Sequence, residues 1–210
     1  MTTLESLGWR YAVKKFDDTK TISNDKIEIL KQAFNLTATS YGLQPIKLLV
    51  IKNKELQNKL VEHSFNQQQV EQASHLLVIA TQKDLSKEDI DIYFNRIKSI
   101  RNTPDEVLNP FKEFLSNDVE NRTKDQITNW MKSQAYIALG NLLTVCAIEQ
   151  IDSCPMEGFS AEKYNEILDL NNQNLIATLV LPVGVRANDD YMKDLKKVRK
   201  NIEESVIEIS

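Results

Sequence analysis

Glycine is scarce in this chain of 210 residues, and its scarcity excludes several kinds of site. Only five glycines are present, and neither a G-x-G-x-x-G run nor a G-x-x-x-x-G-K-[ST] run occurs. A standard dinucleotide-binding fold and a P-loop are therefore not expected. The G-x-S-x-G run that marks the nucleophile of α/β-hydrolases is also absent, so that enzyme class is not expected either.

Cysteine and histidine are equally rare, with two of each. Cys146 and Cys154 lack the C-x-x-C arrangement of zinc sites, and they are too few for a disulfide framework. We interpret both as buried small hydrophobic residues in a reducing cytoplasm. His63 and His75 have no metal-ligand spacing to a second ligand, and we interpret both as structural. No metal site is expected.

The chain has no long hydrophobic run and no excess of positive charge. The longest apolar stretch, AYIALGNLLTVCAIE, is broken by Gly140 and Asn141, and it is too short for a membrane span. Residues 1–20 lack the apolar core of a signal peptide. The net charge of −4 argues against a general nucleic-acid binder. We therefore expect a cytoplasmic protein without membrane or nucleic-acid partners.

Apolar periodicity predicts strands separated by long helical stretches. The runs IKLLVIK (46–52), HLLVIAT (75–81) and LIATLVLPVG (175–184) are typical of strands, and the second is apolar on both faces. Residues 84–122 have no strand signal and predict two helices separated near Pro104. The expected fold class is an α+β (α/β) sandwich in one domain over residues 1–210.

One helical pattern runs from Thr123 to Gln150, and its second half is apolar almost all round. Such a helix must be covered on every side. A second copy of the chain could cover it in a homodimer, which we favour because the apolar segment is long. The alternative is a helix buried within the core of a monomer.

Two basic clusters lie at opposite ends of the chain. Arg10, Lys14 and Lys15 belong to RYAVKKFD, and LKKVRK at 195–200 contains Lys197 and Arg199. If the predicted strands share a sheet, Arg10, Lys14, Lys197 and Arg199 can converge into one site for a phosphate, whose charge and lone pairs suit arginine and lysine. The alternative is that each cluster is a solvated helix face.

The turn CPMEGF at 154–159 is the third candidate feature. A glycine in such a turn allows backbone N–H groups to approach a ligand closely, although a plain connecting turn would look the same.

Taken in order along the chain, five segments resemble the FMN-dependent nitroreductase family. They are RYAVKKFD, TSYGLQP, FNQQQVEQASHLLVIA, the helix NWMKSQAYIALGNLLTVCAIEQ with its CPMEGF turn, and LPVG followed by KKVR. The likeness is greatest to the NfsB-like oxygen-insensitive nitroreductase and dihydropteridine reductase branch. This resemblance implies a mostly antiparallel sheet flanked by helices, a long buried central helix and an intertwined homodimer.

The resemblance also implies FMN as cofactor and assigns roles to individual residues. Arg10, Lys197 and Arg199 would hold the phosphate, with Tyr11 and Ala12 beside it. Lys14 and Asn66 would face the pyrimidine edge of the flavin, and Glu157 and Gly158 would present backbone N–H groups to it. The partner subunit would contribute Ala38, Thr39 and Ser40. The helical excursion at 84–122 would form a lid, with Phe111 and Phe114 lining a substrate pocket.

Two positions depart from the family pattern. Ala12 replaces a serine that is frequent in the family, so one hydroxyl contact to the phosphate would be lost. Gln69 stands where the NfsB-like branch has a lysine. A neutral amide there would remove a positive charge from the pyrimidine edge and lower the reduction potential of the flavin.

The implied activity is hydride transfer from NAD(P)H through flavin N5 to nitroaromatics, quinones or pterin-like oxidants, with ping-pong kinetics and no catalytic side chain. A flavin-fragmenting or dehalogenating enzyme of the same fold is one alternative. A non-enzymatic helical dimer that binds an acidic partner is another.

Overall fold

The computed structural model describes residues 1–209. The helices within that range are α1 (Thr3–Trp9), α2 (Asn24–Asn35), α3 (Lys54–Val61), α4 (Gln69–Gln72), α5 (Lys87–Arg101), α6 (Asp105–Glu120), α7 (Lys124–Ile148), α8 (Ala161–Ile167) and α9 (Ile202–Ser205). The strands are β1 (Ile46–Ile51), β2 (His75–Gln82), β3 (Asp152–Ser153) and β4 (Leu175–Gly184). The expected α+β class is confirmed.

The strands form a single sheet in the order β1-β2-β4-β3, and every neighbouring pair is antiparallel. The three long strands lie where the apolar runs predicted them, and β2 is central. Strand β3 was not predicted, because two residues carry no alternating pattern. It pairs Asp152 with Gly184 and Ser153 with Val183, beside the end of β4.

Each face of the sheet has its own hydrophobic core. On one face, Leu77 and Ile79 pack in the cluster that contains α2 and α7. On the other, Leu76 and Val78 pack in the cluster that contains α3, α8 and Phe16. Both faces of the central strands are therefore buried, which explains why their sequence runs are apolar without alternation.

A β-bulge changes which residues of β4 face each core. Ile79 pairs with Leu179 but Ala80 pairs with Ala177, so Thr178 is the extra residue. Ala177 belongs to one core and Leu179 to the other, although residues two apart on a regular strand face the same side. The extra residue therefore reverses which residues of β4 face each side of the sheet, because side chains alternate between the two sides with a repeat of two.

Helix α7 is the longest helix of residues 1–209, and the chain covers only part of it. Thr123 begins it with a reciprocal capping box to Gln126. One side is buried on the sheet, but Tyr136, Ile137 and Ile148 remain 47%, 48% and 50% exposed. The helix is therefore not buried on all sides within one chain.

The excursion at 84–122 consists of α5 and α6, which pack on each other through Ile90, Phe94 and Leu115. Ser86 caps α5 through Asp89, and a left-handed Asn102 ends it. The two predicted helices are confirmed, whereas the lid role stays a prediction.

No helix among residues 1–209 combines the length and apolar character needed to cross a membrane.

Gly184 makes a close approach that positions the N-terminal segment. A methyl group there would lie 2.9 Å from the Phe16 ring and 3.0 Å from the Ser74 backbone nitrogen. We expect Gly184→Ala to lower the free energy of unfolding by about 1–3 kcal/mol, because this overpacking cannot be relieved without moving backbone. Urea denaturation followed by circular dichroism measures the change.

Gly8→Ala is the matched control, since nothing lies within 4 Å of the added methyl group in helix α1. It should leave stability unchanged or raise it by up to about 1 kcal/mol. Equal stability of the two variants would show that the contact at Gly184 is not tight.

Candidate functional site: a cationic pocket at the end of the sheet

The basic segment (residues 10–15) is fixed to the end of the sheet by backbone hydrogen bonds. The Val13 N–H donates to the Ser153 carbonyl at 3.2 Å, and the Ala187 N–H donates to the Lys15 carbonyl at 2.9 Å. Just beyond it, the Asp17 N–H donates to the Val185 carbonyl at 2.8 Å. The segment therefore lies between β3 and the residues that follow β4.

The side chain of Asp190 also holds the basic segment. Its Oδ2 accepts hydrogen bonds from the Lys14 N–H at 2.9 Å, the Lys15 N–H at 3.2 Å and the Tyr11 hydroxyl at 3.0 Å. Its Oδ1 accepts from the Met192 N–H at 2.9 Å. Burial would raise the pKa of Asp190, but these hydrogen bonds outweigh it and the pKa lies below its ordinary value. Sequence reasoning missed this residue.

The two basic clusters meet in one pocket of about 660 Å³. Arg10, Lys197 and Arg199 all line it, together with Tyr11 and Ala12. The Lys197 ammonium donates a hydrogen bond to the Arg10 carbonyl. The convergence expected from the sequence is therefore present for these three cations, whereas Lys14 does not line the pocket.

The cations in this pocket lack enough negative partners. Burial and repulsion from Arg199 lower the pKa of Arg10, and burial together with repulsion from Arg10 and Arg199 lowers the pKa of Lys197. The buried Nε of Arg10 has no hydrogen-bond partner within residues 1–209. One buried donor without a partner and mutually repelling charges fit a bound anion such as a phosphate.

Arg186 also lines the pocket and was missed by sequence reasoning. Its backbone N–H donates to Asp152 Oδ2 at 2.8 Å, and its Nε donates to Asp152 Oδ1 at 2.6 Å. Its guanidinium carbon lies 4.2 Å from the centre of the Trp9 ring and 4.5 Å from that of Tyr11. No motif singles out Arg186 among the other cations of the sequence.

A second group of predicted site residues surrounds the CPMEGF turn. The Gly158 carbonyl accepts a hydrogen bond from Gln67 Nε2 at 3.0 Å, so the turn lies against the segment that contains Asn66 and Gln69. Asn66 is exposed with a left-handed φ of 57°, whereas Gln69 is buried. Glu157 is exposed and accepts a hydrogen bond from the Tyr136 hydroxyl of α7 at 2.8 Å.

The chain between the two groups of residues runs along β4. The Cys154 N–H donates to the Pro182 carbonyl at 3.1 Å, and the Met156 N–H donates to the Val180 carbonyl at 2.8 Å. Because Ser153 also holds Val13, the basic segment and the 157–158 turn are attached to the same short stretch. Both cysteines are buried and free, as expected, and burial raises the pKa of Cys146 to about 12.

The remaining predicted residues lie elsewhere in the single chain. The Ser40 N–H donates to Gln134 Oε1 on α7 at 2.8 Å, and Thr39 Oγ1 accepts from the Gln44 N–H at 3.2 Å. Phe111 and Phe114 are partly exposed and stack on each other with ring centres 6.4 Å apart. Within residues 1–209, neither ring nor the segment 38–40 lines the cationic pocket. One chain does not bring them to it.

Residues 7–185 match the model of the nitroreductase family. The chain belongs to the nitroreductase family, a family of oxidoreductases. YfkO of Bacillus subtilis, provisionally named an NAD(P)H nitroreductase, is 33% identical to this family member over 202 residues, covering 90% of the chain and 91% of YfkO. A provisionally named NAD(P)H nitroreductase of Staphylococcus epidermidis is 31% identical over 209 residues, covering 95% and 93%.

Solved structures share the fold of this nitroreductase family member. YdfN of Bacillus subtilis superposes with a TM-score of 0.87 at 17% identity, covering 98% of each chain. A provisionally named nitroreductase of Exiguobacterium sibiricum, solved in complex with FMN, superposes with a TM-score of 0.84 at 18% identity, covering 100% of this chain and 98% of the other. At these identities the likeness confirms the nitroreductase-like fold.

Asp190→Asn should weaken the hydrogen bonds that hold the basic segment. Because the pKa of Asp190 is lowered in the folded chain, its contribution is present above the ordinary carboxyl pKa and is lost as pH falls through the folded value. We expect a loss of about 1–3 kcal/mol in unfolding free energy at pH 7. The difference from wild type should shrink below about pH 4 in urea denaturation.

Asp189→Asn is the matched control, because the Asp189 carboxylate is exposed. Among residues 1–209, Lys15 is the one cationic side chain within 4.0 Å of it. Exposed pairs contribute little to stability, so this variant should follow the wild type across the pH range. A pH-independent loss in Asp190→Asn would contradict the role given to the ionised carboxylate.

Proposed function

We propose that this chain is an FMN-dependent NAD(P)H oxidoreductase that reduces nitroaromatics, quinones or pterin-like acceptors with ping-pong kinetics. The observation that carries the proposal is the cationic pocket. Arg10, Lys197 and Arg199 converge there from opposite ends of the chain, and repulsion between neighbouring cations lowers the pKa values of Arg10 and Lys197. The names of the relatives and the FMN complex of a structural neighbour support the same conclusion.

In this proposal the pocket holds the FMN phosphate. Arg10, Lys197 and Arg199 supply charge-assisted hydrogen bonds to the phosphate oxygens. Tyr11 and Ala12 form the adjoining wall and line the same pocket. Ala12 offers no hydroxyl, so the three cations must supply the recognition. The unpaired Nε of Arg10 fits this role, because an anion would satisfy it.

The flavin ring is proposed to lie toward the turn at 157–158. Lys14, Asn66 and Gln69 would face its pyrimidine edge, and Glu157 and Gly158 would present backbone N–H groups to it. When bound, FMN would supply the redox chemistry that carries reducing equivalents from NAD(P)H to the acceptor. The chain's own contribution is to position the ligand and to set the electrostatic field around it. No side chain is assigned as a catalytic acid or base.

The active form is proposed to be a homodimer. Tyr136, Ile137 and Ile148 leave an exposed apolar strip on α7, and Leu4 of the neighbouring α1 is 80% exposed. A second copy would bury this strip. The hydrogen bond from Tyr136 to Glu157 joins the strip to the site, so a partner would stand beside the cofactor.

The dimer also accounts for residues that one chain leaves apart. Ala38, Thr39 and Ser40 are proposed to close over the partner's cofactor. The helical excursion at 84–122 is proposed to act as a lid, with Phe111 and Phe114 lining the acceptor pocket. Tyr41 stands next to this group, with its ring centre 6.0 Å from that of Phe111. Planar aromatic acceptors suit such a wall.

The proposal is tested with purified protein, FMN and both nicotinamide nucleotides. After incubation with FMN and desalting, the protein should be yellow and should oxidise NADH or NADPH when a nitrofuran or quinone is added. A colourless protein that does not take up FMN would overturn the proposal. Arg10→Ala with Arg199→Ala should weaken FMN binding roughly a hundredfold or more, because two charged donors are lost.

Lys15→Ala is the matched control for that pair. Lys15 belongs to the same basic segment, but it is exposed, pairs with Asp189 and does not line the pocket. Its removal should leave FMN affinity unchanged, and circular dichroism should be native for all variants. Normal FMN affinity in the double variant would refute the phosphate assignment.

The dimer is tested by placing a charge on the exposed strip of α7. Ile137→Lys should shift the protein from dimer to monomer in sedimentation equilibrium, because a buried ammonium without a partner is strongly unfavourable. Ile100→Lys on α5 is the control, since Ile100 is 72% exposed but lies away from the strip. A wild-type monomer at micromolar concentration would contradict this part of the proposal.

A further inference from the structure

Arg186 lies in the wall of the cationic pocket, yet its charge is already neutralised. Asp152 is 6% exposed, and its Oδ1 lies 2.6 Å from both Nε and Nη2 of the Arg186 guanidinium. Its Oδ2 accepts a hydrogen bond from the Arg186 backbone N–H. Arg10 and Lys197, in contrast, have no carboxylate oxygen within 4.0 Å of their side-chain nitrogens among residues 1–209, whereas Arg186 has Asp152. Arg186 therefore differs in kind from the cations assigned to the phosphate.

The aromatic contacts of Arg186 involve the two residues on either side of Arg10. Its guanidinium lies over the rings of Trp9 and Tyr11, 4.2 Å and 4.5 Å from their centres. Arginine stacks on aromatic faces through its planar guanidinium, which lysine cannot reproduce. One side chain, anchored to a buried carboxylate, thus holds the rings on both sides of the phosphate-facing arginine.

The backbone of Arg10 needs such support because few other contacts hold it. Helix α1 ends at Trp9, and the Arg10 N–H makes the last bond of the helix, to the Ser6 carbonyl at 3.1 Å. The Arg10 carbonyl accepts from the Lys197 side chain, which comes from an exposed segment. Tyr11 is held at its hydroxyl by Asp190 as well as at its face by Arg186.

We propose that Arg186 is a positioning residue for phosphate recognition: anchored by Asp152, it stacks on Trp9 and Tyr11 and so fixes Arg10 in the orientation that faces the pocket. The proposal rests on the proposed function, since it takes the FMN phosphate as the anion. Arg186 supplies order at this site, while Arg10, Lys197 and Arg199 supply the charge.

Arg186→Lys is the decisive variant, because it keeps the positive charge beside Asp152 and removes the planar stack. The affinity of the apoprotein for FMN, measured by quenching of flavin fluorescence, should fall roughly tenfold. Its affinity for riboflavin, which has no phosphate, should not change. A general structural defect would weaken both ligands equally and would overturn the proposal, as would unchanged FMN affinity.

A double-variant cycle separates positioning from direct contact with the phosphate. Trp9→Leu removes one ring of the stack without changing any charge, and it should weaken FMN binding by a similar factor. The variant that combines Trp9→Leu with Arg186→Lys should be no weaker than either single variant, because both break one unit. The proposal would be overturned if the two substitutions reduced FMN affinity by factors that multiply in the combined variant. It would also be overturned if Trp9→Leu bound FMN as tightly as the wild type.

The chain contains a matched control in Arg122, which pairs with Asp118 at 2.7 Å and lies 5.9 Å from the Trp130 ring, away from the pocket. Arg122→Lys should leave the affinities for FMN and riboflavin as in the wild type. If the wild type itself fails to bind FMN, the proposed function fails. If the wild type binds and Arg186→Lys binds equally well, only the role of Arg186 fails.

Discussion

Backbone pairing between the N-terminal segment and the end of the central sheet is the contact on which the site depends. Val13 pairs with Ser153, and Lys15 and Asp17 pair with the residues that follow β4. These bonds satisfy backbone groups that would otherwise be buried without partners. They also hold one basic cluster at the point where the chain turns back toward the other. Without this pairing, two solvated basic clusters would remain apart.

Once the clusters are together, folding must hold like charges close to one another. Burial and repulsion between neighbouring cations lower the pKa values of Arg10 and Lys197. Two buried carboxylates stabilise the surrounding backbone without neutralising these cations. Asp190 binds the N–H groups of the basic segment, and Asp152 pairs with Arg186. The arrangement is short of negative charge, which suits an anion site.

The site residues divide into those that one chain assembles and those that it does not. The cationic pocket and the turn at 157–158 are attached to one stretch, residues 152–156, that runs along β4. The segment 38–40 and the aromatic residues of α6 lie apart from that pocket. In the proposed homodimer, a second copy that covers the exposed apolar strip of α7 would stand beside Glu157, so both groups could serve one site.

The periodic pattern of the sequence was enough to predict the fold class, the three long strands, the two helices of the excursion and the long helix α7. Those features depend on local apolar repeats, which burial on a sheet or helix face makes visible. The order of motifs also predicted the family. Strand β3 and the bulge at Thr178 left no readable pattern, because both are set by pairing with β4 rather than by local preference.

For the site, residue type and motif order were enough to select Arg10, Lys197 and Arg199 as partners. They could not distinguish these cations from Arg186, because a charge in sequence does not reveal whether a buried carboxylate neutralises it. Nor could they select Asp190, one acidic residue among 30. The roles of Asp190 and Arg186 arise only when distant segments meet, since hydrogen bonds and stacking act over a few ångströms. The sequence by itself determined which chemistry was available, and the tertiary contacts decided which charges remained free to bind a ligand.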